Sequence, residues 1–309
     1  SSMANTAMLG SLMVPEMQKR GYNWQMSMGP ILGTGGLAMI IPPSALGVLL
    51  ASVASIDVGQ LLIAGFLPGF MLAGLYSIMI LLQLKMNPES APAYDVEMPP
   101  MAERIKLVCV NILPMGVIVF MVVGFIIFGW ATPTEAAAFG IFGVVIVAAA
   151  FRALTFTALK TAVEATVKVG AMVFFIIMSS TVFSQLLAFS GASAGLLKWA
   201  ISFELDKYWI LLLMFFILIA LGMFMDATSM MLITVPIFFP LAEQLGFNLI
   251  WFGLFVLMTF EMAGTTPPFG LLLYVMLGVA PKGTTLYQVA ASAFPYLVCD
   301  AILILMMVQ

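Results

Sequence analysis

The sequence predicts an all-α polytopic membrane protein with inverted repeats, each containing a re-entrant helical hairpin and a transmembrane helix broken at Pro-Pro. Of the 309 residues, 63% are hydrophobic and only 8% are charged, and the mean hydropathy is +1.16. No soluble core requires so much apolar surface. In addition, Pro42-Pro43 and Pro267-Pro268 interrupt long apolar runs in similar contexts. One such pair could be a purely structural kink, whereas two matching pairs indicate a repeated device.

Composition also excludes several classes of function. The formal net charge is −3, so no basic face is available to neutralise the phosphates of a nucleic acid. The sequence has no histidine, which removes histidine-based acid–base catalysis, HExxH zinc sites and haem ligation. Cys109 and Cys299 both lie in apolar segments and are expected to be small core residues, with no role as a disulfide or metal pair.

Residues 1–84 form the first predicted repeat. Residues 7–14 are too few to cross about 30 Å of hydrocarbon, so we expect the returning arm of a hairpin whose polar tip is residues 1–6. A span over 24–55 is broken, with its gap at 33–43, because adjacent proline rings clash with the preceding helical turn. A full span at 60–84 carries a kink at Leu67-Pro68.

Residues 85–104 are the only long polar connection and divide the chain. Residues 105–206 are expected to hold scaffold-type and arm helices of the second repeat, with spans at 105–130 and 159–189. Thr132-Pro133-Thr134-Glu135 predicts a helix start, with Thr132 as the cap and Pro133 at the first position. A short interfacial helix is expected at 196–205, where Lys198 and Trp199 lie.

Residues 207–309 are predicted to be the second transport part, with the same plan as the first repeat. A helix at 209–224 leads to a polar tip at Asp226, and residues 230–239 return from it. A broken span over 248–279 and a final span over 285–308, kinked at Pro295, complete the unit.

Three pairs of prolines in the same order support the repeat. Their offsets are 236 − 15 = 221, 267 − 42 = 225 and 295 − 68 = 227, for Pro15 and Pro236, Pro42 and Pro267, and Pro68 and Pro295. If the connection between Lys85 and Lys106 is taken as cytoplasmic, most other basic residues also fall on or near that side, and only Lys198 and Lys207 fall outside. Those on the cytoplasmic side are Lys19, Arg20, Arg152, Lys160, Lys168 and Lys282. About five crossings separate the two hairpins, and an odd number places them on opposite sides of the membrane.

Five motifs in this order resemble the large membrane subunit of tripartite ATP-independent periplasmic (TRAP) transporters. They are Ser1-Ser2-Met3-Ala4-Asn5-Thr6, Ile40-Ile41-Pro42-Pro43-Ser44, Thr132-Pro133-Thr134-Glu135-Ala136-Ala137, Leu221-Gly222-Met223-Phe224-Met225-Asp226 and Thr266-Pro267-Pro268. The resemblance covers essentially the whole chain, although the first repeat lacks a counterpart of residues 105–206, so we expect a front part to be missing.

The resemblance implies a sodium-driven secondary transporter that imports a small organic anion by an elevator mechanism. Two or more Na⁺ ions are expected, and no organic cofactor. The implied partners are a small (Q-type) membrane subunit, a periplasmic substrate-binding protein and membrane lipid, but no nucleic acid. The implied location is the bacterial inner membrane, with multiple crossings. Helix N-termini at the two breaks would favour an anionic substrate such as a carboxylate.

The resemblance also implies two sodium sites, each between a hairpin tip and the facing broken span. The first would use Ser1, Ser2, Asn5, Gly33, Thr34 and Gly35, with the backbone of Gly36. The second would use Asp226, Thr228, Ser229, Gly264, Thr265 and Thr266. Substrate contacts are expected from Asn5, Thr6, Pro42, Pro43, Ser44, Thr266, Pro267 and Pro268. The alternative role for small hydroxyl residues is helix packing or bonding to their own helix.

Among the acidic residues, Asp226 is the strongest candidate. An aspartate at bilayer depth costs on the order of 3 kcal/mol unless it is paired or ligated, and no lysine or arginine is near it in the sequence. Glu261 could be an ion ligand, a proton-accepting group or a cavity-wall residue. Glu135 is expected to be a helix-start residue and Glu164 a solvated partner of nearby lysines, whereas no role is assigned to Asp300.

Several other functions remain as alternatives. A related sodium-coupled dicarboxylate carrier would work without a binding protein, and an ion channel would show far faster flux. A purely structural subunit is a further possibility. Catalysis is not expected, because the sequence contains neither a Gly-x-Gly-Asp motif nor a Ser/Lys pair within a span.

Overall fold

The computed structural model describes residues 2–93, 99–191, 195 and 206–308, and these residues confirm the all-α polytopic class. The first helices are α1 (Ser2–Lys19), α2 (Trp24–Ile40), α3 (Ala45–Ala54), α4 (Val58–Ala64) and α5 (Phe66–Met86). They are followed by α6 (Met101–Ile127), α7 (Pro133–Ala150) and α8 (Phe156–Phe189). The last are α9 (Lys207–Gly222), α10 (Ala227–Gln244), α11 (Leu249–Thr265), α12 (Leu271–Val279) and α13 (Leu286–Val308). The interfacial helix expected at 196–205 lies outside the described residues.

Within the described ranges, five helical segments are long and apolar enough to cross a membrane. They are α4 together with α5, α6, α7, most of α8, and α13. Helices α2 and α3 meet at a bend of 43° and make a sixth span if they are counted together. The chain divides into two compact units, one formed by residues 1–94 and 179–309, the other by residues 95–178.

In the first unit, the hairpin arm of each predicted repeat packs against the other repeat. Helix α1 contacts α12, and α10 contacts α3, so each arm lies on the second half of the opposite broken helix. Helices α2 and α11 also contact each other, and α13 packs on α2 and α5. This reciprocal packing of each arm on the opposite repeat is compatible with a two-fold relation between the repeats, and their inversion stays a prediction.

The first break is shorter than expected, and the predicted gap over Gly33 to Gly36 is wrong. Helix α2 continues through these glycines to Ile40, and only residues 41–44 are non-helical. The glycines let neighbouring helices approach: a Cβ on Gly33 would lie 2.4 Å from the Tyr296 ring, and one on Gly36 would lie 2.2 Å from Glu261. The missing side chains therefore serve helix packing, which offsets the about 1 kcal/mol that a glycine costs inside a helix.

The polar hairpin tip predicted at residues 1–6 is also wrong for the described part. Ser2 and Thr6 lie in α1, which passes through Pro15 and ends at Lys19. They are buried together with Gly10 and Val14, at a spacing of four residues along one face of the helix. This periodicity places the hydroxyls on the packed face of a helix, where sequence reasoning expected a loop.

Two further element boundaries show where the sequence signals worked and failed. Thr132 caps α7 in a full capping box with Glu135, as predicted. The interruption between α4 and α5 falls at Gly65, earlier than the kink expected at Pro68. A Cβ on Gly65 would lie 2.7 Å from the carbonyl oxygen of Ile40, so close backbone approach fixes this point, and Pro68 is accommodated in the first turn of α5.

The second unit consists of α6, α7 and the larger part of α8. Helix α6 contains two π-helical stretches, Val108–Ile112 and Phe120–Gly124, and the first precedes Pro114. A wider turn here accommodates the proline, which lacks the N–H of a normal helical turn. Many apolar side chains of this unit are exposed, including Phe174 and Phe175. Such a surface suits contact with lipid or with another membrane subunit.

Candidate functional site

A cavity of about 220 Å³ lies inside the first unit, where both predicted repeats meet. Its polar wall contains Ser2 of α1, Asp226 and Thr228 at the start of α10, and Gly264 near the end of α11. Met39 of α2 lines the same space, as do the first residues of α3 and α12. The structure thus brings together one hairpin arm and one broken helix from each predicted repeat.

Three helices begin at this cavity. They are α3, α10 and α12, whose N-caps are Ser44, Asp226 and Gly270. The first backbone N–H groups of a helix have no partner within the helix, and the helix dipole makes this end positive. Ser44 and Asp226 accept N–H groups at the starts of α3 and α10, whereas Gly270 gives α12 no side-chain cap, so the start of α12 is the end that most favours a negatively charged ligand.

Asp226 is held by the start of its own helix. One carboxylate oxygen accepts hydrogen bonds from the backbone N–H groups of Thr228 (2.9 Å) and Ser229 (3.2 Å). The other accepts from the Ser229 hydroxyl at 2.5 Å. The partners of this aspartate in the protein are therefore groups of its own helix start, which supply three hydrogen bonds, and its proposed partnership with a cation stays a prediction. The side chain is still partly accessible from the cavity.

The second break extends from Thr266 to Gly270. Pro267 and Pro268 have no N–H, so the carbonyls of Ala263 and Gly264 lose their usual helical donors. Ala263 is compensated by the N–H of Thr266 at 3.3 Å, whereas the Gly264 backbone lines the cavity. A hairpin residue, Phe224, packs on this break, with its ring centroid 5.2 Å from that of Phe269.

The two threonines of this break do not turn their hydroxyls to Asp226. Both hydroxyls donate to the carbonyl of Met262, at 3.1 Å for Thr265 and 2.6 Å for Thr266. Thr265 is buried and lines a separate narrow space next to Glu261. Hydrogen bonding to the same helix is the alternative that the sequence had left open for such residues.

Only some of the residues predicted for the first sodium site lie near one another. Thr6 is fully buried on α1, and its hydroxyl oxygen has no hydrogen-bond partner among the described residues. A Cβ on Gly35 would lie 2.7 Å from this oxygen, so α1 and α2 touch here. Thr34 is exposed and donates to the carbonyl of Pro30 at 2.6 Å. Asn5 is half-buried, and Ser1 lies outside the described residues.

Ser44 closes the first break from both sides. Its hydroxyl donates to the carbonyl of Met39 at 2.5 Å and accepts from the N–H of Gly47 at 2.9 Å. Pro42 is buried, whereas Pro43 is exposed, as are Pro267 and Pro268 of the second break. Ser44 therefore stabilises the break and directs the start of α3 to the cavity, and the proposed substrate contacts of these residues stay predictions.

A buried polar cluster lies beside the cavity, and sequence reasoning had not assembled it. The Tyr76 hydroxyl is 2.5 Å from Oδ1 of Asp300 and 3.3 Å from Oε1 of Glu261. All three side chains are almost inaccessible. The signal was two acidic residues within apolar segments, which are rare in membrane helices and commonly functional. Tyr76 could not be found this way, because a tyrosine is common in a span.

The oxygen ligands available at the cavity are of the kind that hard cations prefer. A carboxylate, small hydroxyls and a backbone carbonyl are hard oxygen ligands, which suit alkali and alkaline-earth ions. In the part of the chain that the structure describes, no three acidic, histidine or cysteine side chains are grouped as a transition-metal site would require.

A polytopic helical protein in which broken helices surround a cavity with one polar wall has the architecture of a membrane transporter. The chain belongs to the family described as "Tripartite ATP-independent periplasmic transporter, DctM component", whose sequence model matches residues 1–309. This membership confirms the resemblance seen in the sequence motifs, and the family is one of transporter permeases.

The names of the relatives that this chain resembles mention several different substrates. The C4-dicarboxylate TRAP transporter large permease protein DctM of Rhodobacter capsulatus is 30% identical, over 96% of this chain and 69% of the relative. The ectoine TRAP transporter large permease protein TeaC of Halomonas elongata is 27% identical, over 87% of this chain and 62% of the relative. The isethionate TRAP transporter permease protein DctMQ of Oleidesulfovibrio alaskensis is 28% identical, over 91% of this chain and 44% of the relative.

Proposed function

We propose that this chain imports a small organic anion across the bacterial inner membrane, driven by sodium ions and supplied by a periplasmic binding protein. The observation that carries the proposal is the convergence of three helix N-termini and Asp226 on one cavity. The positive helix ends favour an anion, and the aspartate favours a cation beside it. A site that binds an anion and a cation side by side suits the coupled transport of an anionic substrate and a sodium ion.

The second sodium site is proposed at Asp226, with Thr228 and the Gly264 carbonyl as neutral oxygen ligands. All three line the cavity. The first is proposed at the hydroxyls of Ser2 and Thr6 with the side chain of Asn5. The unpartnered hydroxyl of Thr6 supports it, because a fully buried polar group without a partner is costly. The α2 carbonyls at residues 33–36 are omitted, since they belong to a continuous helix.

The substrate class is proposed from the size of the cavity and from the relatives. The volume of about 220 Å³ is below the roughly 300–1,000 Å³ of pockets for drug-sized ligands, so a compact molecule is favoured. C4-dicarboxylate and isethionate, which appear in the names of two relatives, are small organic anions.

The partners and the movement are part of the same proposal. The family description names a tripartite periplasmic transporter, which supports a binding protein and a small membrane subunit as partners. In one relative the name DctMQ supports close association with a Q-type subunit. We propose an elevator movement that carries the hairpin arms and broken helices of the first unit across the bilayer, with residues 105–206 contributing to a static scaffold and to contact with the small subunit.

Uptake into proteoliposomes tests this function. The transporter, assembled with its small subunit, is supplied with candidate binding proteins loaded with labelled C4-dicarboxylate or isethionate. Uptake is expected only with both an inward sodium gradient and a loaded binding protein. Equal uptake without any binding protein would favour a carrier of the simpler sodium-coupled type. Unitary currents in a planar bilayer would instead identify an ion channel.

A further inference from the structure

The cluster of Glu261, Asp300 and Tyr76 lies outside the proposed sodium and substrate sites. Glu261 on α11 is 1% exposed, and Asp300 on α13 and Tyr76 on α5 are each 2% exposed. The single hydroxyl of Tyr76 touches both carboxylates, at 2.5 Å for Asp300 and 3.3 Å for Glu261. Two acidic groups from different helices thus meet through one oxygen atom.

Counting hydrogens shows what this arrangement requires. A tyrosine hydroxyl has one hydrogen, and an ionised carboxylate can only accept. Tyr76 can therefore donate to Asp300 or to Glu261, but not to both. The second oxygen–oxygen contact becomes a hydrogen bond only if one of the two carboxyl groups carries a proton and donates it to Tyr76. With one proton on the pair, both contacts of Tyr76 are hydrogen bonds; with no proton, only one of them is.

No positive side chain compensates two negative charges here. Every lysine and arginine in the described residues is exposed. Among the described residues, the other titratable groups next to the pair are Tyr296 and Cys299 of α13, and neither carries positive charge, while Lys85 of α5 and Tyr287 of α13 are exposed. The residues of α2 at this point are Leu32, Gly33 and Gly36, and none of them is titratable. Two uncompensated buried carboxylates repel each other and are poorly solvated, so one of them is expected to be neutral.

The space between these groups distinguishes a proton from a larger ligand. It is lined by Glu261, Asp300, Tyr76 and Tyr296, and it is too narrow to contain a water molecule. Within the described residues, Oε2 of Glu261 and the hydroxyl of Tyr296 have no hydrogen-bond partner, although both side chains are buried. A polar space this small, with acceptors and a spare hydroxyl, has room for a proton and for its movement between oxygens.

We propose that Glu261 and Asp300 form a proton-binding site in which the pair holds one exchangeable proton through Tyr76. The proton is taken from water and returned to water, and no other bond changes. Tyr76 belongs to the first predicted repeat and both carboxyl groups to the second, so a local rearrangement of α5 against α11 and α13 would break the shared hydrogen bonds and release the proton. The proposal does not depend on sodium coupling or on the identity of the substrate.

Infrared spectroscopy of the purified protein in lipid tests the site directly. At neutral pH, the C=O band of a protonated carboxyl group, identified by its shift in D₂O, is expected in the unmodified protein. Glu261→Gln and Asp300→Asn should each abolish it, because the amide N–H supplies the second hydrogen to Tyr76 and leaves the remaining carboxyl group free to ionise. Glu243→Gln, the same change at an exposed position, should leave the band unchanged.

Three outcomes would overturn the proposal. The first is the absence of the band in the unmodified protein at neutral pH, a measurement that needs no variant to fold. The second is its persistence in both Glu261→Gln and Asp300→Asn. The third is loss of the band when sodium is added at constant pH, which would identify a cation in place of the proton. The spectra are recorded without transport, so a failure of sodium-coupled uptake would not affect them.

Discussion

The two halves of the first unit share a plan but differ in buried charge. In residues 2–84, the acidic side chains of Glu16 and Asp57 are exposed. In residues 207–308, Glu261 and Asp300 are buried and Asp226 faces the cavity. The buried and cavity-facing acidic groups are thus in the second half, while the first half contributes small hydroxyl groups and close helix packing.

The two breaks differ in a similar way. Ser44 caps α3 with its hydroxyl, whereas Gly270 precedes α12 without a side-chain cap. The first break is therefore closed by its own serine. In the second, Gly264 lines the cavity and the proline pair is exposed. A tightly closed break suits a structural hinge, and an open one suits ligand contact.

The largest expected effect on transport is at Asp226, because its substitution removes the acidic side chain that faces the cavity in the second half. Asp226→Ala should abolish sodium-dependent uptake, because both the carboxylate and the helix cap are lost. Asp226→Asn retains an oxygen that can cap α10, so it should fold normally while the half-saturating sodium concentration rises by at least about tenfold. Sodium dependence of uptake, at matched expression, is the measurement. Unchanged sodium dependence in Asp226→Asn would mean that this side chain only caps its helix.

A large effect on folding is expected at Gly36, where the halves touch. A Cβ there would lie 2.2 Å from Glu261, so Gly36→Ala should lower the free energy of unfolding by about 1–3 kcal/mol. Gly74→Ala is the matched control, since a Cβ at Gly74 meets nothing within 4 Å. Thermal unfolding in detergent compares the two variants. Equal melting temperatures would show that α2 and α11 can separate freely.

A smaller difference should separate the two breaks. Ser44→Ala removes the cap of α3 and leaves the Met39 carbonyl without its hydroxyl donor, at an expected cost of about 1–2 kcal/mol. Thr266→Val should cost less than about 1 kcal/mol, because the Met262 carbonyl keeps the Thr265 hydroxyl. Thermal unfolding of both variants, at the same lipid content, shows which substitution lowers the free energy of unfolding more. The reverse order would contradict the assignment of Ser44 as the closing residue.

The smallest effect is expected at Thr34. Its exposed hydroxyl bonds to the carbonyl of Pro30, so Thr34→Val should change the half-saturating sodium concentration by less than about twofold. Uptake at varied sodium concentration, with Thr6→Val as the contrasting variant on the buried side, provides the check. A strong sodium defect in Thr34→Val would restore this residue to the first sodium site.

Sequence reasoning located the elements whose signals are local. The spacing of Thr132 and Glu135 alone predicts the start of their helix. Pro42 and Pro267 interrupt helices because a proline has no N–H for the backbone hydrogen bond of a helix. It failed at Gly33 and Gly36, which look flexible in isolation and are helical because Tyr296 and Glu261 pack against them. These contacts join residues more than 200 positions apart, and no local pattern encodes them.

The candidate site shows the same limit. Asp226 was recognised from its charge in an apolar setting, but its capping bonds depend on backbone directions at the start of α10. Asp300 had no assigned role until Tyr76, on a distant helix, was found at 2.5 Å. A polar group in a membrane helix can be recognised from sequence, whereas its partner depends on how the helices cross.

The contact between Gly36 and Glu261 has an implication for how the two repeats could diverge. The offset that relates the proline pairs, 267 − 42 = 225, also relates these two residues, since 261 − 36 = 225. Equivalent positions that face each other across a two-fold axis compete for one volume, and two identical acidic side chains would also repel. Under the predicted two-fold relation, a glutamate in both copies would clash and repel at this point. The glycine in one copy leaves the volume that the glutamate of the other copy occupies, so this pair of positions can keep a single acidic side chain.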